Sequence, residues 1–66
     1  MAFRLKAFTA AGELEYYPAH VNNIRTAEAL AVCVLQSEDF ARVEVEDIDT
    51  AEVVYVVTDA LLKDAA

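Results

Sequence analysis

The side chains best suited to covalent or metal chemistry are one cysteine, Cys33, and one histidine, His20. Cys33 lies in the apolar run from Ala29 to Leu35 with no charged neighbour that would activate its thiol, and we interpret it as core or interface filler. His20 lies in a predicted connector and is interpreted as a surface histidine or a local hydrogen-bonding group. One cysteine and one histidine cannot form an internal disulfide or a four-ligand zinc site.

Other signatures of catalysis do not occur at a useful spacing. The single glycine of the chain excludes a glycine-rich phosphate loop, and Ser37 has no partners at the spacing of a catalytic triad. A domain of 66 residues also seldom forms a pocket with convergent polar groups. We therefore predict no catalytic residue, no metal, no cofactor and no enzymatic activity.

The one polar cluster is an acidic stretch in the second half of the chain, formed by Glu44, Glu46, Asp47, Asp49 and Glu52. It lacks the ligand spacing and the central glycine of a calcium-binding loop. We interpret it as a solvated face. The functional alternative is an acidic ridge that imitates a phosphate backbone or docks against a basic patch on another protein.

The spacing of apolar residues predicts a β-hairpin in the first half of the chain. A first strand has core-facing residues at alternate positions, which are Phe3, Leu5 and Ala7. Gly12 is expected in the left-handed region at the end of a three-residue loop. Leu14 and Tyr16 are the predicted core-facing residues of the return strand, and Pro18 ends that strand or marks it as an edge strand.

A helix is predicted from about Ile24 to Ser37, with Asn23 or Thr26 as its N-cap. Its apolar residues recur at helical spacing and form one core-facing stripe: Ile24, Ala27, Leu30, Ala31, Val34 and Leu35. Ser37 and the two acidic residues after it end the pattern.

The second half of the chain predicts another hairpin. Its first strand alternates apolar residues with a polar set on a solvent-facing side, which is Arg42, Glu44 and Glu46. The turn at residues 47–52 is rich in side chains that cap their own backbone. The strand from Val53 to Thr58 is apolar on both faces, and residues 59–66 are expected to form one or two helical turns anchored by Leu61 and Leu62.

These elements predict a single α+β domain over residues 1–66, in the order ββαββ. The simplest architecture is one four-stranded, mainly antiparallel sheet with the helix packed on one face. So small a chain buries only about 60% of its unfolded surface. With a hydrophobic content of 58%, the chain therefore has more apolar side chains than a two-layer fold of this size can bury.

The surplus apolar side chains predict a surface that binds a protein. The outward residues of the last strand are either Val54 and Val56 or Val53, Tyr55 and Val57, and Phe8 and Tyr17 are expected on the same outer face. The predicted partner-binding residues are Val54, Val56, Tyr17, Glu44, Glu46 and Asp49. The occupant is expected to be a second copy of the chain, forming a homodimer, or a different protein. The alternative is that the C-terminal turn folds back over this face.

The net charge of −7 comes from twelve acidic and five basic residues. It argues against direct binding to nucleic acid or to an anionic membrane, because both require basic residues facing phosphate. The sequence shows no pattern of a signal peptide or of a membrane span, and its lone cysteine fits a reducing compartment. We therefore expect a cytoplasmic protein.

Five short stretches resemble small, mostly uncharacterised proteins encoded by actinobacteria and their phages: Phe3 to Phe8, Gly12 to Leu14, Thr26 to Ala31, Ala41 to Val45 and Thr50 to Val54. Those proteins often have Thr-Gly-Glu at the second turn, where this chain has Ala51 in place of the glycine. The layout is also similar to small phage inhibitors of host RNA polymerase and to some anti-CRISPR proteins. The resemblance implies a phage-encoded module that binds or inhibits a bacterial host protein. The alternatives are an acidic nucleic-acid mimic, an antitoxin-like neutraliser and a minor virion structural protein.

Overall fold

The computed structural model describes residues 2–37 and 40–58 and has the predicted order of elements. They are β1 (Phe3–Phe8), β2 (Leu14–Val21), α1 (Ile24–Ser37), β3 (Arg42–Asp47) and β4 (Glu52–Thr58). The strands form one sheet in the order β2-β1-β3-β4, and every neighbouring pair is antiparallel. The predicted α+β fold is therefore confirmed, whereas the predicted C-terminal turn lies outside the described residues.

The core lies between α1 and one face of the sheet, which we call the inner face. Alternation along β1 turns Phe3, Leu5 and Ala7 inward, as predicted, and β3 turns Val43 and Val45 inward. The buried residues of the helix all lie on the predicted stripe: Ala27, Ala31, Val34 and Leu35. The face of the sheet away from α1 is the outer face, and it receives no second layer from the described part of the chain.

The loop of the first hairpin has the predicted conformation. Gly12 has a φ of 86°, its N–H donates to the carbonyl oxygen of Thr9 at 2.9 Å, and the N–H of Thr9 donates to the carbonyl oxygen of Glu13 at 2.9 Å. These bonds enclose a three-residue loop whose last residue is in the left-handed region, where glycine avoids a steric cost.

Asn23, and not Thr26, is the N-cap of α1. The Oδ1 of Asn23 accepts the backbone N–H of Arg25 at 2.8 Å and that of Thr26 at 3.3 Å. The side chain therefore satisfies amides of the first helical turn that have no partner within the helix.

The prediction that Leu14 and Tyr16 face the core was wrong. In the register of β1 and β2, Lys6 pairs with Tyr16 and Arg4 pairs with His20, so the three residues 17–19 stand opposite Leu5 alone. The expected sides are reversed already before this bulge, because Leu14 pairs with Phe8 and Tyr16 pairs with Lys6, whose side chains lie on the outer face. Leu14 and Tyr16 are exposed, whereas Tyr17 is half-buried and packs against the core.

The second hairpin also contains a bulge, which lies in β4. Val45 pairs with Tyr55 and Glu46 pairs with Val53, so that Val54 is an extra residue on the outer strand. A simple alternation therefore does not describe β4. Both predicted alternatives were incomplete, because Val53, Val54 and Val56 are all exposed while Val57 is buried and Tyr55 is half-buried.

The turn between β3 and β4 is held by its own side chains, as predicted. The Oδ1 of Asp47 accepts the N–H of Asp49 at 2.9 Å, and the Oγ1 of Thr50 accepts the N–H of Glu52 at 3.3 Å. Ala51 closes the turn with a φ of 61°. An alanine in this left-handed conformation costs about 1–2 kcal/mol that a glycine would not.

Candidate interaction surface

The centre of the outer face carries a row of ion pairs between β1 and β3. Glu46 pairs with Arg4 at 2.5 Å and with Lys6 at 3.8 Å. Glu44 pairs with Lys6 at 3.9 Å and with Arg42 at 3.1 Å. We call these five side chains the ion-pair ladder. Three positive charges face two negative ones, so the centre of this face is close to neutral in a chain that is otherwise strongly acidic.

The predicted wet face of β3 was therefore wrong in part, since Glu46 is only 6% exposed. Glu44 and Glu46 do share a face, but basic side chains of β1 and β3 cover both. Asp47 is buried and is engaged as the acceptor within the turn. Asp49 and Glu52 remain exposed. The acidic stretch thus does not form one free ridge, although binding of a partner by Glu44, Glu46 or Asp49 stays a prediction.

Aromatic rings cover the guanidinium groups of the ladder. The Cζ of Arg4 lies 4.6 Å from the ring centroid of Tyr16, and that of Arg42 lies 4.4 Å from the ring centroid of Phe8. Phe8 is on the outer face, as predicted. Through Tyr16, the β2 side of this face is occupied by an intramolecular cation–π contact.

The β4 edge of the sheet is different, because it exposes aliphatic side chains. Val53 is 44% exposed, Val54 45% and Val56 38%. The two cation–π contacts among the described residues involve β1, β2 and β3 and no residue of β4. Three exposed valines on one edge strand thus form an apolar patch of the kind that marks interaction sites.

The backbone of β4 also offers hydrogen-bonding groups at its open edge. The N–H of Ile48 donates to the carbonyl oxygen of Ala2 at 2.9 Å, which makes their pair a hydrogen-bonded one between β3 and β1. Alternate residues of an antiparallel strand point their backbone groups to the same neighbour. Val43 and Val45 therefore bond to β4.

The same alternation can be continued into β4. The partners of Val43 and Val45 are Val57 and Tyr55, whose N–H and C=O groups point towards β3. Val56 lies between them, so its backbone N–H and C=O point away from the sheet. Within residues 2–37 and 40–58 no strand pairs with this edge.

A shallow concavity of about 430 Å³ adjoins the bulge of β4. Its apolar lining includes Phe3, Ile24 and Val54, and Arg25 and Asp47 supply opposite charges at its wall. The bulge places the extra residue, Val54, beside the N-terminal end of α1. The concavity therefore adjoins the open edge and could receive a side chain from a strand added there.

Tyr17 lies elsewhere, and its predicted position on the outer face was wrong. It lines a space of about 340 Å³ with helix residues that include Leu30 and Cys33. The sheet separates it from Val56, so the structure does not bring these two predicted partner-binding residues together. Cys33 is exposed on α1, and His20 is exposed opposite Arg4.

Sequence reasoning missed the ion-pair ladder, although a signal was present. Arg4 and Lys6 alternate in one predicted strand, and Glu44 and Glu46 alternate in another. Opposite charges on directly paired strands stabilise each other. Recognising this required the pairing of β1 with β3, which are separated by the helix and which no hairpin rule connects.

In the comparisons with known proteins, no protein-family model, curated protein or solved structure matches the chain. In the part of the chain that the structure describes, no three His, Cys, Asp or Glu side chains are grouped so that they could hold a metal ion. Among the described residues, no helix combines the length and the apolar character needed to cross a membrane. The geometry of the sheet therefore carries the functional argument.

Proposed function

We propose that this chain is a small protein-interaction module whose contact surface is the β4 side of the sheet. The observation that carries the proposal is the coincidence, on one strand, of an open hydrogen-bonding edge at Val56 with exposed apolar side chains at Val53, Val54 and Val56. In β-strand addition, backbone bonds supply affinity and neighbouring pockets supply specificity. The concavity beside Val54 fits the second role.

The proposed setting is the cytoplasm of a bacterium, in keeping with the resemblance to phage-encoded proteins. There the module would bind or inhibit a host protein or bind a second copy of itself, and it would act by occupancy rather than by chemistry. An acidic mimic of nucleic acid has less support, because Glu44 and Glu46 are already paired with bases of the same chain.

Two matched lysine variants test the contact surface. Val56→Lys places a charge on the open edge of β4, and Leu14→Lys places the same charge on an exposed position of β2. Immobilised full-length chain is incubated with bacterial lysate, retained proteins are identified and the binding is repeated with the purified partner. We expect Val56→Lys to weaken binding at least about tenfold and Leu14→Lys to change it less than about twofold, since lysine blocks strand addition at an edge.

Equal binding by the two variants would contradict the proposed surface. So would a chain that binds nothing and stays monomeric at all concentrations. Salt provides a second criterion, since docking through backbone and apolar groups changes little between about 0.1 and about 1 M salt, whereas an acidic mimic loses affinity steeply.

A further inference from the structure

We infer that the partner of β4 is a second copy of this chain, whose own β4 pairs with it antiparallel across a two-fold axis at Val56. This inference rests on the proposed function and names the partner of the same surface. The product would be one continuous eight-stranded sheet with an α1 helix from each copy on its inner face.

Antiparallel pairing of identical strands is self-complementary. A two-fold axis makes one residue face its own counterpart, and both copies then exchange the same pair of hydrogen bonds. Val56 points its N–H and C=O to the open edge, so the pair formed by Val56 and its counterpart satisfies all four groups. An axis at Tyr55 or Val57 would centre on residues whose backbone groups already bond to β3.

The charges on β4 favour the antiparallel arrangement. From Val53 to Val57 the strand has no charged side chain, whereas the whole chain carries −7. With the axis at Val56, the two copies of Glu52 lie roughly 26 Å apart at about 3.3 Å per residue. That separation exceeds the screening length of about 10 Å in 0.1 M salt. A parallel pairing would put Glu52 beside its counterpart.

The other edge of the sheet is a poorer choice for a second copy. In β2 the residues 17–19 bulge opposite Leu5, and Pro18 has no backbone N–H to donate. Pairing of β2 with the β4 of another copy would also be head-to-tail, which leads to open chains rather than to a closed dimer. The β4 edge pairs with itself and closes.

Amide hydrogen exchange on the native chain tests the pairing directly, alongside sedimentation over a concentration series from about 5 µM to about 1 mM. The Val56 amide points out of the monomer, so we expect its exchange to slow at least about tenfold as the dimer forms. The amides of Tyr55 and Val57 bond to β3 and should be protected at every concentration. Added salt should change the affinity of the dimer little, because the pairing uses backbone and apolar groups and keeps the two copies of Glu52 apart.

The variant Val56→Pro removes the outward N–H at a position where an edge strand tolerates proline, and Val56→Thr keeps that N–H and the β-branched shape. We expect dimerisation to weaken at least about tenfold in the first and less than about threefold in the second. If Val56→Pro does not fold, the exchange measurement still decides. A monomer up to the highest concentration, or a dimer without protection at Val56, would overturn the inference.

The proposed function fails separately from this inference. Suppose that the chain is monomeric and binds a different protein, and that Val56→Lys abolishes this binding whereas Leu14→Lys does not. The inference of a homodimer would then be wrong, and the proposed contact surface would still hold. A dimer that both lysine variants leave intact, with no other protein bound, overturns both.

Discussion

The two hairpins differ most in the edges that they present to solvent. Both have a left-handed residue in the turn, at Gly12 and Ala51, and both have a bulge in the outer strand. In β2 the bulge includes a proline, and Tyr16 stacks on a charged group of the neighbouring strand. In β4 the bulge exposes an additional valine. A bulge therefore protects an edge only together with residues that block a new strand.

The two central strands, β1 and β3, differ from the edge strands. They hold the two hairpins together through contacts on both faces of the sheet. On the inner face, Leu5 and Val45 are fully buried and pair directly. On the outer face, Arg4 pairs with Glu46, so the same two strands are joined by opposite charges. A second copy can therefore pair only with an edge strand. Of the two edge strands, β4 is the one without residues that prevent the addition of another strand.

The largest effect is expected from Leu5→Ala, in the inner strand opposite the β2 bulge. Removing a fully buried leucine leaves a cavity and should lower the free energy of unfolding by about 2–5 kcal/mol. The matched control is Leu14→Ala in the outer strand of the same hairpin, where 41% exposure predicts a loss below about 1 kcal/mol. Urea denaturation of the monomer measures both, and similar losses would contradict the assignment of inner and outer sides.

The two hairpins also show where sequence reasoning succeeded and where it failed. Gly12 and the helix cap Asn23 were predictable because each depends on neighbours within a few residues. The side on which Tyr17 lies was not, since it depends on the register in which β2 pairs with β1, and a register shifted by one residue moves every side chain to the other face. The burial of Glu46 was not predictable either, because the side chains that cover it, Arg4 and Lys6, lie 42 and 40 positions earlier in the sequence.

The ion-pair ladder predicts that an acidic residue of the central strand β3 contributes more to stability than one of the edge strand β4. Glu46→Gln removes the charge between two basic groups and should cost about 1–2 kcal/mol, since Glu46 is buried but Arg4 reaches solvent. Glu52→Gln changes an exposed acid of β4 and should cost less than about 0.5 kcal/mol. Thermal or urea unfolding in low salt and in about 1 M salt measures the difference, which salt should reduce only partly for a buried pair. Equal costs would mean that the ladder adds nothing to stability.

The turns of the two hairpins can be tested by exchanging their residue types. Ala51→Gly removes the steric cost of an alanine at a φ of 61° and should stabilise the fold by about 0.5–1 kcal/mol after the added chain entropy is counted. Gly12→Ala should destabilise by a similar amount. A Cβ at Gly12 would meet no atom within 4 Å, so the cost there is that of the backbone alone. If the urea midpoints of Ala51→Gly and Gly12→Ala shifted in the same direction, the expectation of opposite effects at the two turns would be contradicted.

The smallest effect is expected from Tyr16→Leu, which removes the ring from Arg4 and keeps an apolar side chain on β2. An exposed cation–π contact contributes about 0.5–1 kcal/mol, and Tyr16 is 55% exposed, so a loss near 0.5 kcal/mol is expected. Tyr16→Phe is the control, because it retains the ring and should match the native urea midpoint. If the leucine variant also matches it, the ring contributes nothing to stability. The block on the β2 edge would then lie in the bulge and in Pro18, and the leucine variant should stay as unable to pair through β2 as the native chain.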